Sequence, residues 1–293
     1  MDILIAEDDT PSRLILDMTL TKLGHSVTAV SDGRAALQAW EREVYPLLIS
    51  DWMMPGMDGL GLCRAIRTAQ RHQYTYILLL TALGGKTNCL DGMDAGADDF
   101  ITKPFDADLL AARLRVADRI LQLHDALRRE ATHDRLTGLL NRAAILDYLN
   151  HALERRVRDG GDVGLILADL DHFKQINDRH GHLIGDAVLQ EAARRMRTAL
   201  RPYDRVGRYG GEEFIVVLPT ADSAQAMVVA ERVRAAIAAT PFATPNGPLM
   251  VTSSMGVSNA QGVEVDANRL IGAADAALYR AKHSGRNRVE ADR

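Results

Sequence analysis

Residues 2–6, Asp-Ile-Leu-Ile-Ala, form a short apolar run that ends in the acidic triplet Glu7-Asp8-Asp9. From Pro11 to Leu23 the apolar residues follow helical spacing, and Gly24 ends the segment. This order predicts a strand, a loop and a helix. In a parallel sheet the acidic loop would lie at the carboxyl end of its strand, where such folds place their sites.

The same pattern continues along the first part of the chain. Short apolar runs follow at Val27–Val30, Leu47–Ser50 and Tyr76–Leu80, with helix-like stretches between them. Strands that alternate with helices predict a doubly wound α/β fold, in which helices cover both faces of a parallel sheet.

Length and composition set the broad class of protein. The 293 residues are about twice a usual domain length, so we expect two domains, with a single domain as the alternative. A net charge of -4 argues against a general nucleic-acid binder. The apolar runs are far shorter than the roughly 20 residues that span a bilayer. Because Cys63 and Cys89 also fit a reducing compartment, we expect a cytoplasmic protein with no membrane or nucleic-acid partner.

A long helix is predicted between the two halves, because residues 106–130 contain neither Gly nor Pro. Two apolar stripes run along them: Val116, Ile120, Leu123 and Leu127 at heptad spacing, and Leu110, Leu114, Ala117 and Leu121 beside these. We expect one helix over about residues 106–133, with one stripe packed on the first domain and the other on a partner chain. A single well-buried helix is an equally consistent interpretation.

The second half shows a different order of elements. Its predicted strands are Val163–Asp169, Phe214–Leu218 and Leu249–Val257, and its predicted helices lie at about 182–199, 222–239 and 266–283. Gly210-Gly211 predicts a hairpin turn between paired strands. Without an internal repeat, the two halves are different folds, and the second is of the α+β class.

Carboxylates follow two strands of the first predicted sheet. Asp8 and Asp9 come after the first strand and Asp51 ends the third, so the fold would bring them to one sheet edge. Such oxygen ligands suit Mg²⁺. An ionised aspartate can attack phosphorus when a metal and a cation, here Lys103, neutralise the phosphoryl group. Taken singly, each residue is more simply a solvated loop residue.

These residues belong to an ordered set of motifs: Glu7-Asp8-Asp9, Asp51-Trp52-Met53-Met54-Pro55-Gly56-Met57-Asp58-Gly59, Thr81-Ala82 and Lys103-Pro104-Phe105. The set resembles the receiver domain of two-component response regulators over about residues 1–122, which implies a flavodoxin-like sheet. The resemblance implies that a cognate histidine kinase phosphorylates Asp51. It also implies Mg²⁺ bound by Asp8, Asp9 and the Met53 carbonyl, and a switch that consists of Thr81, Phe100 and Lys103.

A second acidic cluster lies in the other half of the chain. Asp169-Leu170-Asp171 closes an apolar strand, and Gly210-Gly211-Glu212-Glu213-Phe214 forms a glycine turn with two carboxylates. Joining a 3′-hydroxyl to an α-phosphate needs a deprotonated oxygen and relief of charge on pyrophosphate, the task of paired metals. Glycines at the turn let the backbone approach phosphate. Alone, the turn is more simply a hairpin with solvated charges.

Four segments extend this cluster: Asp134-Arg135-Leu136-Thr137-Gly138-Leu139-Leu140-Asn141-Arg142, residues 169–178, Arg208-Tyr209-Gly210-Gly211-Glu212-Glu213-Phe214 and Ala277-Leu278-Tyr279-Arg280-Ala281-Lys282. Together they resemble a GGDEF diguanylate cyclase domain over roughly residues 131–293. The resemblance implies a ferredoxin-like, nucleotidyl-cyclase palm. It also implies Mg²⁺, with Mn²⁺ as an alternative, at Asp169, the Leu170 carbonyl, Glu212 and Glu213. Both glutamates would be catalytic, and Glu212 is the expected base.

The same resemblance assigns the nucleotide site. The implied GTP-binding residues are Phe173, Lys174, Asn177, His182, Asp186, Gly210, Gly211, Lys282 and Arg286. Lys174, Lys282 and Arg286 would meet the phosphates, whereas Asn177 and Asp186 would accept hydrogens from guanine that adenine does not offer. His180 and His182 have no further His or Cys nearby and make a poor zinc site.

The implied reaction condenses two GTP molecules into cyclic di-GMP. Because one domain holds one GTP, two domains must face each other, and a homodimer is the expected active form. Phosphorylation of Asp51 would act by changing receiver pairing or linker geometry. Arg201 and Asp204, assisted by Arg232, match the positions at which the family binds its product as a feedback inhibitor.

Three other functions compete with this interpretation. The first is a catalytically silent module that only binds cyclic di-GMP, against which the intact Asp169 and glutamates argue. The second is a DNA-binding response regulator, for which the second half lacks a basic recognition helix. The third is an enzyme that also accepts ATP, against which Asp186 argues.

Overall fold

The structure, a computed structural model, describes residues 1–69, 73–82, 86–245, 247–260 and 266–292, with the backbone alone for residues 86–89. The chain divides into two compact units, Met1–Leu127 and Arg128–Arg293. The division falls inside the predicted linker helix.

The first unit is built on a parallel sheet. Its strands are β1 (Asp2–Ala6), β2 (Ser26–Val30), β3 (Leu47–Asp51), β4 (Tyr76–Thr81) and β5 (Asp99–Thr102), in the order β2-β1-β3-β4-β5. Its helices are α1 (Thr10–Lys22), α2 (Gly33–Arg42), α3 (Gly59–Thr68), α4 (Lys86–Asp94) and α5 (Ala107–Thr132). Leu4 and Leu48 pack into a core with α2 and α3, whereas Ile3 and Leu47 pack into another with α1 and α5. Helices therefore cover both faces, which confirms the doubly wound fold.

Helix α5 confirms the predicted long helix and separates its two apolar stripes. Leu110, Leu114 and Ala117 are buried in the core of the first unit. In the other stripe, Leu123 and Leu127 keep 58% and 64% of their surface exposed. The exposed stripe argues against a single well-buried helix, and its contact with a partner chain stays a prediction.

The second unit is an α+β fold, as predicted. Its strands are β6 (Gly164–Leu170), β7 (Arg205–Gly210), β8 (Glu213–Leu218), β9 (Phe242–Thr244), β10 (Gly247–Leu249), β11 (Ser253–Asn259) and β12 (Val289–Ala291). Its helices are α6 (Arg142–Asp159), α7 (Phe173–His180), α8 (His182–Ala199), α9 (Ser223–Ala238) and α10 (Ala267–His283). The main sheet has the order β12-β11-β6-β8-β7 and is antiparallel except between β11 and β12. Helices α7, α8 and α9 cover one face, and α6 and α10 cover the other.

Several strands differ from the sequence-based prediction, among them the three-residue strands β9 and β12, which were not predicted. Strand β5 was not predicted, because it has only four residues and begins with the acidic Asp99. The predicted strand Leu249–Val257 is interrupted: β10 ends at Leu249, and β11 begins at Ser253. The gap lets β11 pair along the whole length of β6 while β10 pairs with β9.

Across the described part of the chain, every helix is too short or too polar to cross a lipid bilayer.

Candidate functional sites

The carboxyl ends of β1 and β3 bring three acidic side chains together. Oxygen atoms of Glu7, Asp8 and Asp51 lie within 4.8 Å of one another. Lys103 Nζ lies 2.6 Å from Glu7 Oε2 and 2.9 Å from Asp51 Oδ2. Neighbouring strands of a parallel sheet end at the same edge, which explains why residues so distant in sequence meet. The cluster has the donor set of a Mg²⁺ site.

Glu7, rather than Asp9, is the second acid of this cluster. The Asp9 carboxylate accepts a hydrogen bond of 2.9 Å from the Ser12 backbone N–H and caps α1. Glu7 is 1% exposed, and its Oε1 is buried without a hydrogen-bond partner among the described residues. The expectation that Asp8 and Asp9 form the pair therefore needs correction, since Asp9 is committed to its helix.

Glu7 and Lys103 influence each other's pKa in this cluster. Burial raises the pKa of Glu7, although the hydrogen bond from Lys103 opposes the shift. Burial lowers the pKa of Lys103, but hydrogen bonds to Glu7 and Asp51 outweigh it and leave that pKa above its usual value. The ammonium is thus held charged beside Asp51, as neutralisation of a phosphoryl group requires.

The remaining predicted receiver residues surround this edge. Thr81 ends β4 and is buried, and its carbonyl accepts a 2.7 Å hydrogen bond from the Lys103 N–H. Phe100 is half-buried in β5 and packs against the core that contains Trp52. The Met53 side chain follows β3 and is exposed.

In the second unit, the glycine turn joins β7 to β8, and β8 pairs with β6, so the turn lies near the end of β6. Asp169 pairs directly with Glu213 in the β6–β8 register, and the Leu170 N–H donates to the Glu212 carbonyl at 3.4 Å. Gly211 has φ +48°, a conformation that glycine adopts without strain. The predicted acids therefore share one end of the sheet.

Asp169 is a buried carboxylate beside a cation. Lys282 Nζ lies 2.8 Å from Asp169 Oδ2. Burial raises the pKa of Asp169, Lys282 opposes the shift, and the charges of Glu212 and Glu213 add to it. Such a carboxylate favours a nearby cation. Within the described residues, however, these three acids do not approach one another as closely as Glu7, Asp8 and Asp51 do.

Helices α7 and α8 carry the predicted nucleotide residues. Phe173 is buried at the start of α7, whereas Lys174 on α7 and His182 and Asp186 on α8 are exposed. Asn177 Oδ1 is buried and has no hydrogen-bond partner among the described residues. An orphaned buried acceptor is unusual and indicates a missing donor.

The end of α10 presents the two other predicted cations. Lys282 lies in its last turn, and Arg286 follows Gly285. Arg286 has φ +61°, and its N–H donates to the Ala281 carbonyl at 3.0 Å. The structure thus carries one cation in the last turn of α10 and the other on the short connection between α10 and β12.

Comparison with protein families agrees with this geometry. The model described as "Diguanylate cyclase, GGDEF domain" matches residues 131–288. The chain belongs to the GGDEF family. The "Response regulator receiver domain" matches residues 3–115, so a receiver domain precedes the GGDEF domain.

Three similar proteins support this assignment. The chain is 35% identical over 252 residues to "Response regulator PleD" of Caulobacter vibrioides, covering 83% of this chain and 56% of PleD. The coiled coil and GGDEF domain of DgcB from Caulobacter crescentus, solved with c-di-GMP, align with a TM-score of 0.57 and 30% identity, covering 63% of this chain and 97% of that one. The "active GGEEF domain of a diguanylate cyclase" from Vibrio cholerae aligns with a TM-score of 0.50 and 34% identity, covering 53% and 98%. The chain thus spans little more than half of PleD.

The glycine turn of the GGDEF domain is held by residues to which the sequence assigned no role. Arg208 donates from Nε and Nη2 to the Gly211 carbonyl at 2.9 and 2.8 Å. Its Nη1 lies 3.2 Å from Asp134 Oδ2. Burial raises the pKa of Asp134, but hydrogen bonds from Thr137 and then Arg208 outweigh it and lower that pKa. Both residues stand in the quoted motifs, yet 74 positions separate them.

The three residues assigned to product inhibition gather around the end of α8. The Asp204 Oδ2 atom accepts the Arg201 N–H at 3.0 Å, and the Arg201 guanidinium is exposed and donates to the Tyr203 hydroxyl at 2.7 Å. Arg232 on α9 donates to the Ala199 carbonyl at 2.7 Å. The two guanidinium groups therefore approach the same stretch of chain.

Proposed function

We propose that the GGDEF domain condenses two GTP molecules into cyclic di-GMP and two pyrophosphates. The observation that carries the proposal is the pairing of Asp169 with Glu213, with Lys282 2.8 Å from the Asp169 carboxylate. Acids and a cation lie together beside the turn at Gly210-Gly211, where backbone can approach phosphate. Glu212 is the base that we assign to the attacking 3′-hydroxyl.

The residues fit a divalent cation at this site. Asp169, Glu212, Glu213 and the Leu170 carbonyl would hold Mg²⁺ or Mn²⁺, and the ion would offset the charge of the triphosphate. The raised pKa of Asp169 supports this assignment, because a buried carboxylate near other acids is stabilised by a cation.

Selection of GTP follows from Asn177. Its buried Oδ1 accepts no hydrogen bond from the described residues, and guanine offers N–H donors where adenine does not. An unsatisfied buried acceptor costs about 1–3 kcal/mol, so pairing it with guanine would favour GTP over ATP. Asp186 is exposed on α8, directly after Gly185, the residue that faces Asn177, and would accept from the same base edge.

The receiver domain would control this reaction through Asp51. A cognate histidine kinase would donate the phosphoryl group, Glu7 and Asp8 with Asp51 would hold Mg²⁺, and Lys103 would neutralise the phosphoryl oxygens. The orphaned Glu7 Oε1 supports a cation at this place. Thr81 and Phe100 would transmit the change, because Thr81 ends β4, the strand beside that of Asp51, and Phe100 lies on β5, the next strand in the sheet.

Synthesis of a cyclic dinucleotide requires two GGDEF domains, each with one GTP. We assign the dimer contact to the exposed stripe of α5, which includes Leu123 and Leu127. The product would bind at Arg201, Asp204 and Arg232 and inhibit turnover. The similarity to PleD and to the DgcB domain solved with c-di-GMP supports these assignments.

Product analysis tests the proposed reaction. Purified protein would be incubated with Mg²⁺ and GTP, ATP or both, and the products separated by chromatography and identified by mass. We expect cyclic di-GMP from GTP, no cyclic product from ATP alone, and loss of product in Glu213→Gln. Binding of cyclic di-GMP without any synthesis would contradict the proposal and indicate a sensor.

A further inference from the structure

Asp171 lies two positions after Asp169 and has no role in the reaction as described so far. It is 5% exposed and follows the last residue of β6. Its Oδ1 accepts the Ser254 hydroxyl at 2.6 Å. Its Oδ2 accepts the Thr252 hydroxyl at 2.7 Å and the Asn287 backbone N–H at 3.1 Å. The carboxylate therefore joins three segments, one of which is the connection that carries Arg286.

Asn287 is held from a second side. The Arg234 Nη1 atom on α9 donates to Asn287 Oδ1 at 2.6 Å, and Arg234 Nη2 lies 2.6 Å from Glu231 Oε1. The Asp171 carboxylate therefore holds the backbone N–H of Asn287, and Arg234 holds the side-chain amide of the same residue.

The held segment has an unusual backbone. Arg286 and Asn287 have φ values of +61° and +46°. Residues with a Cβ seldom adopt this region, asparagine more often than arginine, and surrounding contacts help to hold them there. The contacts from Asp171 and Arg234 help to hold this conformation, because they fix Asn287, the residue next to Arg286. The Arg286 guanidinium takes no part in these contacts.

We propose that Asp171 is a positioning residue for Arg286, acting through the Asn287 N–H, and that the Glu231–Arg234 pair braces the same segment. The inference rests on the proposed function, in which Arg286 binds GTP phosphate. The end of β6 would then contribute to phosphate binding in two ways, through Asp169 at the cation site and through Asp171 at Arg286. A guanidinium gains binding energy only when its donors are directed at the phosphate.

Binding of 3′-deoxy-GTP with Mg²⁺ measures this effect without turnover, because the analogue lacks the attacking hydroxyl. Arg286→Ala should weaken binding about ten- to hundredfold, the effect of losing a charged hydrogen bond. Asp171→Ala should weaken it about tenfold. Asp171→Asn keeps an oxygen for the Asn287 N–H and should remain within about threefold of wild type.

The double variant separates positioning from general structure. If Asp171 acts through Arg286, Asp171→Ala should have less than about a twofold effect in the Arg286→Ala background. An equal loss in both backgrounds would show that Asp171 only supports the fold and would overturn the inference. Thermal unfolding of each variant checks that it folds.

Arg234→Ala provides an independent test if Asp171→Ala does not fold. It should weaken 3′-deoxy-GTP binding several-fold in the wild type and not in Arg286→Ala, whereas the exposed Arg197→Ala should have no effect. If Arg286→Ala leaves binding unchanged, the assignment of Arg286 is wrong and the inference falls with it. If the wild-type chain does not bind the analogue, the proposed function itself is contradicted.

Discussion

The Nζ atom of Lys282, in the last turn of α10, lies 2.8 Å from Oδ2 of Asp169, at the end of β6. In the proposed reaction, this cation would offset charge that develops on the pyrophosphate leaving group. We predict that Lys282→Ala lowers kcat/KM for GTP about 10²- to 10³-fold, the usual loss of one such charged contact. Lys282→Arg keeps the charge and should lose less.

Initial rates of cyclic di-GMP formation measure this effect. Lys22→Ala on α1 is the matched control, because it removes a lysine from the other unit. Wild-type kcat/KM in Lys282→Ala would contradict the role of Lys282.

Arg208 and Asp134 should act as one unit on the glycine turn. Because Arg208 holds the Gly211 carbonyl and is itself paired with Asp134, losing either residue should loosen the turn. We predict that Arg208→Ala and Asp134→Ala each lower kcat about tenfold or more, and that the double variant loses little more than Arg208→Ala. Steady-state rates of the four proteins give the coupling. If the fold-loss of kcat in the double variant equalled the product of the two single losses, the residues would act separately, which would contradict the prediction.

Gly185 should be required for guanine binding. A Cβ at this position would overlap Asn177 Oδ1 and lie 3.2 Å from Phe173 Cζ. Gly185→Ala should therefore displace Asn177 and weaken GTP binding by about tenfold or more. Gly272→Ala is the control, because its Cβ would meet no atom within 4 Å and it should stabilise α10 by about 0.5–1 kcal/mol. Equal GTP affinity in the two variants would contradict the assignment of Asn177.

Stability in acid should depend on Glu191. Hydrogen bonds from Arg194 lower its pKa to about 2. A carboxylate whose pKa is lower in the folded state stabilises the fold above its unfolded pKa of about 4.3 and loses this effect as pH falls through the folded value. We predict that Glu191→Gln lowers the free energy of unfolding at pH 7. The loss should be at most about 1 kcal/mol, because solvent screens the surface ion pair of Glu191 and Arg194. Urea unfolding from pH 7 to pH 3 should show the difference shrink below about pH 4, and a constant difference would contradict the prediction.

Feedback should depend on Arg201. Its guanidinium is exposed beside Tyr203, in the segment before β7, and β8 separates β7 from the strand that carries Asp169. Arg201→Ala should raise the concentration of cyclic di-GMP that halves the rate by at least about tenfold while leaving the initial rate unchanged. Arg197→Ala, which removes an exposed arginine from the last turn of α8, should alter neither quantity. Unchanged inhibition in Arg201→Ala would place the product site elsewhere.

Much of the fold could be predicted from the sequence, because apolar periodicity is strong in its long elements. Helix α8 has the predicted bounds, and the hairpin lies at the predicted Gly210-Gly211. Strand β5 was missed because four residues carry too little periodicity. The site was harder to predict where a residue has two competing uses. Both Asp9 and Glu7 follow β1, and only the cap of α1 shows which carboxylate turns away from Asp51.

Contacts between distant residues could not be predicted from spacing. Asp134 and Arg208 stand in motifs that the sequence already displays, yet their pairing depends on how the segment after α5 lies against β7. The same holds for Asp171, which follows β6, and Asn287, which precedes β12, because these strands come close only when β11 pairs with both.

The central claim is that phosphorylation at Asp51 controls synthesis of cyclic di-GMP. The most direct test is the rate of cyclic di-GMP formation from GTP and Mg²⁺ with and without beryllofluoride, in wild type and Asp51→Asn. We predict that beryllofluoride raises the wild-type rate and leaves Asp51→Asn at its basal rate. An equal increase in both proteins, or Asp51→Asn as active as the beryllofluoride-treated wild type, would contradict the account.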